Sequence, residues 1–527
     1  MKKRLIISAV AGMLGTTALA GGLLTNTNQN VAFLRNPSRD AAIGIDGVYS
    51  NPAGVVFLGE GMHISLNWQN AHQTRTVTST FGAFKYGVEN DGKTTKKFEG
   101  EADAPFVPSV QLAYNKSDWS FQFNFSITGG GGKAIFDKGL GSFESVVSLI
   151  PMLASSYGLN VTGYDFDSYL KGRQYYFGAQ IGAARKLDDV LGGQLSGYVG
   201  ARVLYGSCNY YGYVRDIQVA IDGQTINAPQ YFGSLYQQAL EGAGKCQEAA
   251  ETYAAYGMTE EAESYAQQAT YYAGVAQKAG ALAVATKDIT LNCDQTGVGV
   301  APVVGIDYKV GMFNFAVKYD FKTKMRLKNK SANSESAEQL EQLSRFADGK
   351  KVAEDAPALL TVGVQVEPIE KLRVSAGYHM FFDKQSKQHN DHQKLLDGNT
   401  YEYMFGAEYD ICKHLQVSAG YQSTNYRFTD EYMSDISFNV SSYTLGGGFG
   451  IKINDNLKLN IAYFQTNYGT YHKTTDDYNN LSSMIGTLAG ESTAEALVGS
   501  GVLAGKDDFT RTNKVFGVGL DIRIPHN

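Results

Sequence analysis

The chain has 527 residues, of which 43% are hydrophobic and 19% charged, with 34 Tyr and 27 Phe against 2 Trp, 59 Gly and 10 Pro. This aromatic content excludes a disordered chain, and beyond the extreme N-terminus no apolar run approaches the ~20 residues of a membrane-spanning helix. A net charge of -6 offers no footing for nucleic acid.

Met1-Lys2-Lys3-Arg4 is a basic start, Leu5 to Thr17 is a short apolar stretch, and Ala18-Leu19-Ala20 fits a cleavage site. Residues 1–20 therefore read as a secretory signal, too short for an anchor, with the mature chain leaving the cytoplasm. Residues 21–59 follow, small-residue-rich but carrying Phe33, Leu34, Ile43, Val48, Tyr49, Val55, Val56 and Phe57, which need burial. A segment of this kind before a first strand is expected to fill the lumen of a barrel as a hatch. Within it, Asn51-Pro52-Ala53-Gly54 forms a turn: Pro52 fixes φ, Asn51 can cap its own backbone, and Ala53 and Gly54 permit a close approach. The expected role is to set the hatch against the first strand, structural and gating rather than ligand-holding.

From residue 60 to 527 the pattern has period two. Trp119, Phe121, Phe123, Phe125 and Ile127 alternate with Ser120, Gln122, Asn124, Ser126 and Thr128, and Phe313 to Phe321 repeats the theme. Successive strand side chains point to opposite faces, so one face is apolar and the other small or polar. Fourteen such segments are expected, at 61–72, 106–115, 118–128, 173–186, 194–207, 296–309, 312–323, 358–367, 371–382, 400–410, 414–426, 438–453, 456–467 and 512–524. Their length suits tilted strands crossing hydrocarbon. Six short turns alternate with seven long loops, the mark of an even-stranded antiparallel transmembrane β-barrel with short periplasmic turns. Residues 208–295 form one long external loop with a helical insertion over 232–288, either a cap or a solvated decoration.

Beyond the third segment, Gly129, Gly130, Gly131 and Gly132 break the alternation, as a wall opening or as a flexible loop start. Phe143, Val146, Val147 and Ile150, with Leu153, lie on one helical face in the following loop. They serve either as an apolar landing groove or as packing against a neighbouring loop. Four cysteines in a secreted chain suggest bridges. Cys208–Cys293 would staple the base of the insertion, with Cys246–Cys293 the rival. Catalytic signals fail. Gly129 to Lys133 lacks the first glycine and the Ser or Thr of a phosphate loop, and His389-Asn390-Asp391-His392 has no third metal ligand at suitable spacing. His379 faces the lumen without a marked partner. No cofactor, no metal and no enzymatic activity are expected.

Two stretches, Arg35-Asn36-Pro37-Ser38-Arg39-Asp40-Ala41-Ala42 and Asp46-Gly47-Val48-Tyr49-Ser50-Asn51-Pro52-Ala53-Gly54, resemble the hatch of FadL-like outer-membrane transporters. Gly129 to Lys133 with Phe136 to Glu144, Gly305 to Tyr308, and Tyr319 to Met325 are similar to later parts of that family. The resemblance implies a fourteen-stranded barrel with an N-terminal hatch in the outer membrane of a Gram-negative bacterium. It also implies passive uptake of hydrophobic small molecules (long-chain fatty acids, aromatic or steroid-like compounds). Such cargo would land on a groove, pass to a pocket above the hatch, and leave sideways at a kinked third strand. The partners expected are that cargo, outer-membrane lipid and lipopolysaccharide, and the barrel assembly machinery, with the protein a monomer. Two departures are the helical insertion and the ending Ile524-Pro525-His526-Asn527, without a terminal aromatic. The alternative is a general diffusion porin or a surface structural β-barrel.

Overall fold

The computed structural model describes residues 24–25, 30–338 and 342–525; the signal segment 1–20 lies outside them. Fourteen antiparallel strands form the wall: β1 (Gly61–Phe81), β2 (Thr95–Lys116), β3 (Trp119–Phe136), β4 (Gly163–Val190), β5 (Gly193–Ile221), β6 (Ile289–Val310) and β7 (Phe313–Asp320). They continue with β8 (Leu359–Ile369), β9 (Leu372–Phe381), β10 (Thr400–Cys412), β11 (Leu415–Asn425), β12 (Ser442–Asn454), β13 (Leu457–Tyr468) and β14 (Gly505–Ile524). Each pairs with the next, and β14 returns to β1 from Met62↔Ile524 to Phe81↔Gly505, closing the cylinder. Four short ribbons at Gln224–Asn227, Arg326–Ser331, Lys351–Ala353 and Tyr471–Thr475 extend the external side.

The alternation sorts the faces as its period demands. Phe121 is 54% exposed, Val199 69% and Ile306 57%, whereas Gln111 and Asn124 are fully buried. Apolar side chains thus face outward, where lipid would lie, and polar ones face inward. A closed cylinder suits lipid because it leaves no edge strand with unpaired backbone groups. Turns on one end are tight. Ser117 and Gly311 take left-handed φ (52° and 55°) between β2 and β3 and between β6 and β7.

The strands run further than expected. β4 has 28 residues and β5 has 29, against the ~9–11 that cross hydrocarbon, so their upper halves stand beyond the membrane. The expected loop 208–295 correspondingly narrows. Its two ends, with Cys208 and Cys293, belong to β5 and β6.

Helices fill both interior and top. In the hatch lie α1 (Val31–Arg35) and α2 (Gly47–Ser50). Above the wall lie α3 (Gly141–Ser148), α4 (Ile150–Ser156), α5 (Ala228–Ala255), α6 (Thr259–Ala285), α7 (Leu481–Ala489) and α8 (Glu491–Gly499). α5 and α6 form an antiparallel hairpin, packed where Gly280 meets the Tyr236 ring and where Tyr253 stacks on Tyr265 at 5.3 Å. The largest apolar core of the molecule is the external cap, where Phe81, Phe84, Phe143 and Tyr478 pack with Met484 and Ile485.

Candidate functional site: hatch, cavities and wall break

The hatch touches the wall almost all the way round. Asn30 Nδ2 donates to Ser65 Oγ (3.0 Å) and Gln111 Oε1 (2.8 Å) on β1 and β2. Gln180 Nε2 on β4 donates to Val48 O (3.1 Å), and Lys318 Nζ on β7 to Tyr49 O (3.0 Å). On the opposite side, Asn36 Nδ2 donates to Ser375 Oγ on β9 (3.3 Å).

The Asn51 to Gly54 turn is the most heavily anchored part. Asn51 Nδ2 donates to Asp307 Oδ2 on β6 at 2.5 Å, while its Oδ1 accepts from Gly54 N at 3.2 Å. Gln122 Nε2 on β3 donates to Pro52 O at 2.7 Å, and Ser196 Oγ on β5 donates to Ala53 O. A Cβ on Gly54 would stand 2.4 Å from Asn51 Nδ2 and 2.9 Å from Asp307 Oδ2, so the position needs glycine. The turn is set against β3, β5 and β6, which corrects the expectation of β1. β1 leaves the hatch at Gly61, but the turn has by then crossed the lumen.

Charge locks the hatch as well. Glu408 on β10 receives Arg35 at 3.1 Å and Arg39 at 3.2 Å, and Arg39 also pairs with Asp46 at 2.7 Å. His379 on β9 sits between Asp40 of the hatch and Glu402 of β10, 2.9 Å from each. Both of its ring nitrogens are thereby taken by carboxylates, which suits a latch rather than a catalytic base. These ions are buried, and removing one partner from such a pair costs about 3–5 kcal/mol because the other charge stays uncompensated. Of the other histidines considered for chemistry, His392 stacks on Tyr432 at 4.6 Å within an external loop.

A small cavity lies against the hatch, lined by Phe33, Tyr49, Leu359 and Phe381 and by the ionic Lys318 and His379. A second small one lies higher, between Arg75, Gly132, Ala134, Phe136, Leu170 and Ile436.

That second cavity meets a break in the wall. The β2–β3 ladder runs from Lys116↔Trp119 to Ser109↔Ser126 and resumes only at Glu101↔Ile135. Residues 102–108 of β2 and 127–134 of β3 do not pair with one another. The glycine run is one cause. Gly130 and Gly132 adopt φ of 106° and 71°, and a Cβ on Gly130 would meet Gln174 O at 2.4 Å. The other cause escaped the sequence reading: Pro105 and Pro108 on β2 lack the N–H that a ladder needs. The signal was present in Ala104-Pro105-Phe106-Val107-Pro108, the densest proline pair in a strand of this chain. Phe106 is 67% exposed beside the break, and Trp68 Nε1 donates to Pro105 O at 3.0 Å. Pro108 lies eight residues above Lys116, roughly 20 Å up for a tilted strand, in the outer part of the hydrophobic band.

Phe143, Val146, Val147, Ile150 and Leu153 do come together, but inside the cap core, none more than 4% exposed. Of the two readings, a landing groove or packing against a neighbouring loop, the side chains in this state show the packing. The helical face packs on neighbouring loops, each side chain contributing about 1.5–3 kcal/mol by burial. Helix α3 is held at its start by Asp435, whose Oδ2 accepts from Ser142 N at 2.7 Å.

Cys208 and Cys293 are neighbours on β5 and β6 yet remain free thiols, a correction to the expected bridge. The register places Cys208 opposite Gln295 and Cys293 opposite Tyr210. The two are diagonal, with Cα atoms about 7–8 Å apart in such a pair, beyond the usual reach of a disulfide. Cys246 and Cys412 are also free.

No family model matches the chain, and no curated protein sequence matches it. Solved structures do. A FadL homologue from Pseudomonas aeruginosa has TM-score 0.56 at 11% identity, over 95% of this chain and 99% of its own. A TodX deltaS2S3 mutant, a monoaromatic hydrocarbon channel, has TM-score 0.50 at 13% identity, over 95% and 100%. The P. putida toluene transporter TodX has TM-score 0.49 at 12% identity, over 98% and 100%. The fourteen-stranded cylinder is thus the fold of the FadL homologue.

Proposed function

We propose that the protein is an outer-membrane channel for uptake of hydrophobic small molecules in a Gram-negative bacterium. The observation that supports this reading is the lapse of the β2–β3 ladder between Ser109↔Ser126 and Glu101↔Ile135, beside a mainly apolar cavity, with the segment before β1 packed against the inner wall below. A straight aqueous pore does nothing for an apolar solute, which gains by leaving water for lipid. With the lower lumen occupied, the low-cost route runs from the external side into the cavity and out through the flank. The fold shared with a FadL homologue and with hydrocarbon channels supports the same reading. No energy source or cofactor is required, and chemistry on the cargo forms no part of the proposal.

The cap core must loosen to admit cargo. The face of Phe143, Val146, Val147, Ile150 and Leu153 becomes the landing groove once the cap opens, and Asn51 to Gly54 holds the hatch while cargo passes. The partners are the cargo, the surrounding lipid and lipopolysaccharide, and the barrel assembly machinery. One chain closes the cylinder, so a monomer suffices.

Uptake of labelled oleate and toluene by cells deleted for the protein, with and without complementation, tests the proposal. Complementation is expected to raise uptake of at least one of them. Equal uptake of both in the two strains would remove it.

A further inference from the structure

The stretch Lys322-Thr323-Lys324-Met325-Arg326-Leu327-Lys328-Asn329-Lys330 carries five basic residues, one at every second position. Its ribbon, Arg326–Ser331, pairs with the upper part of β6 on one side and with the ribbon Lys351–Ala353 on the other. Met325, Leu327 and Asn329 are buried, 2% exposed or less. The period of a strand therefore turns Lys324, Arg326, Lys328 and Lys330 to the outside, and all four are exposed. Lys328 stands opposite Thr296 of β6 and opposite Lys351, also exposed. Residues directly opposite share a face, so Lys351 joins the stripe.

The height of the stripe follows from β6. Its outward residues are apolar up to Val300 and Val298, 60% and 61% exposed, and polar from Thr296 and Asp294 onward. The hydrocarbon boundary on this flank falls at that change, and the lysines begin there. Phe321 meets Tyr319 nearby with ring centres 4.8 Å apart, aromatics of the kind that gather at a membrane interface. Most of these cations lack a carboxylate. Arg326 Nη1 pairs with Asp355 at 2.8 Å, and Lys322 Nζ lies 3.9 Å from the same group. Among the described residues, Lys324, Lys328, Lys330 and Lys351 form no ion pair. Asp294, opposite Lys330, accepts instead from Asn209 (2.9 Å), and Asp348 accepts from Ser331 N (2.9 Å). Lys328 and Lys351 face each other, and like charges so placed repel.

We infer that this stripe is a docking surface for lipid A, the phosphorylated anchor of outer-leaflet lipopolysaccharide. Its phosphates sit on Lys324, Lys328, Lys330 and Lys351, and its acyl chains run down the wall over Val298 and Val300. One phosphate can bridge Lys328 and Lys351, whose Cβ atoms lie about 5 Å apart in such a pair, and so turns their repulsion into attraction. Charge alone would accept any anion. The apolar band directly below the cations selects an amphiphile whose phosphate stands on acyl chains. The inference rests on the outer-membrane placement proposed above and adds to it the face that holds the lipid.

Fluorescence anisotropy of labelled lipid A, titrated with the full-length protein in dodecyl maltoside and EDTA, tests this. Bisphosphorylated lipid A and its dephosphorylated form are compared at equal detergent, so that they differ only in the phosphates. The phosphorylated form is expected to bind at least about tenfold tighter. K324Q/K328Q/K330Q/K351Q is expected to remove that preference, and the corresponding arginine replacements to keep it. Heat-modifiable gel migration reports an intact barrel. Should the full glutamine variant fail it, K328Q/K351Q supplies the comparison and is expected to lose part of the preference. Equal affinities in the unaltered protein, or a preference that survives in the glutamine variants, overturn the inference. Displacement by an equal concentration of inorganic phosphate overturns it as a plain anion site, and displacement by phosphatidylglycerol overturns it as a surface for any acidic lipid. Loss of the lipid A preference with uptake of oleate or toluene intact removes the docking surface and leaves transport standing. If the unaltered protein shows neither, both readings fall.

Discussion

The side chains that hold this molecule in its present state are ionised or ionisable, and they work in two places. In the lower lumen, Glu408 gathers Arg35 and Arg39, and Asp307 receives Asn51. In the external cap, Asp435 accepts from the start of α3 while Asp507 accepts from Ser79 Oγ (2.6 Å) and Tyr478 OH (2.8 Å). Burial, and after it the charge of Asp507, push the Asp435 carboxyl up to about 6. Its folded value lies above the unfolded one of about 3.9, so the folded cap binds the proton more tightly. The stability that Asp435 contributes is full below the unfolded value and is lost as pH rises through about 6. Hydrogen exchange of the α3 amides is expected to be slower at pH 5 than at pH 8 after correction for intrinsic rates. In Asp435→Asn the corrected difference should shrink. An unchanged difference would remove Asp435 as its source.

At the level of elements, the wall strands and the break between two of them have separate causes. Alternation builds a strand wherever backbone groups can pair, and β4 with β5 pairs well beyond the membrane. β2 and β3 fail to pair because glycines on one and prolines on the other act at the same height. Replacing Gly129 to Gly132 by Thr-Val-Thr-Val, with P105T and P108T, supplies the missing donors and side chains. The expected result is slowed hydrogen exchange over residues 127–134 and at least a several-fold loss of hydrophobic uptake, with the barrel still heat-modifiable. Closure of the ladder with undiminished uptake would mean that cargo leaves elsewhere. The α5–α6 hairpin meets β5 and α7, and Lys278 of α6 lies 4.7 Å over the ring of Tyr157, which follows α4.

For the molecule as a whole, the hatch decides whether the lumen stands open. The inward faces of the wall are polar, with Ser65, Asn67, Gln111, Asn124 and Gln180 all buried against other groups. Without residues 21–59 those groups would line a water-filled bore. The truncated barrel is expected to conduct small ions in planar bilayers at a level well above that of the full chain. Equal conductance would show that the hatch does not block the lumen.

The number of strands, the side each turn lies on and the face each side chain presents were all legible in the amino-acid order. They depend on a period of two and on tight turns, both set by residues adjacent in the chain. Gly129 to Gly132, read as a wall opening or a flexible loop start, fall where the β2–β3 pairing lapses. What could not be read that way depends on which distant residues the closed cylinder brings together. Asn51 meets Asp307 rather than β1, Cys208 misses Cys293 by one diagonal step, and the apolar face of α3 turns into a packed cap. Arg75 and Arg511, near opposite ends of the chain, become neighbours only because β14 closes on β1. Closure fixes register across the whole circumference at once, and no local pattern carries that information.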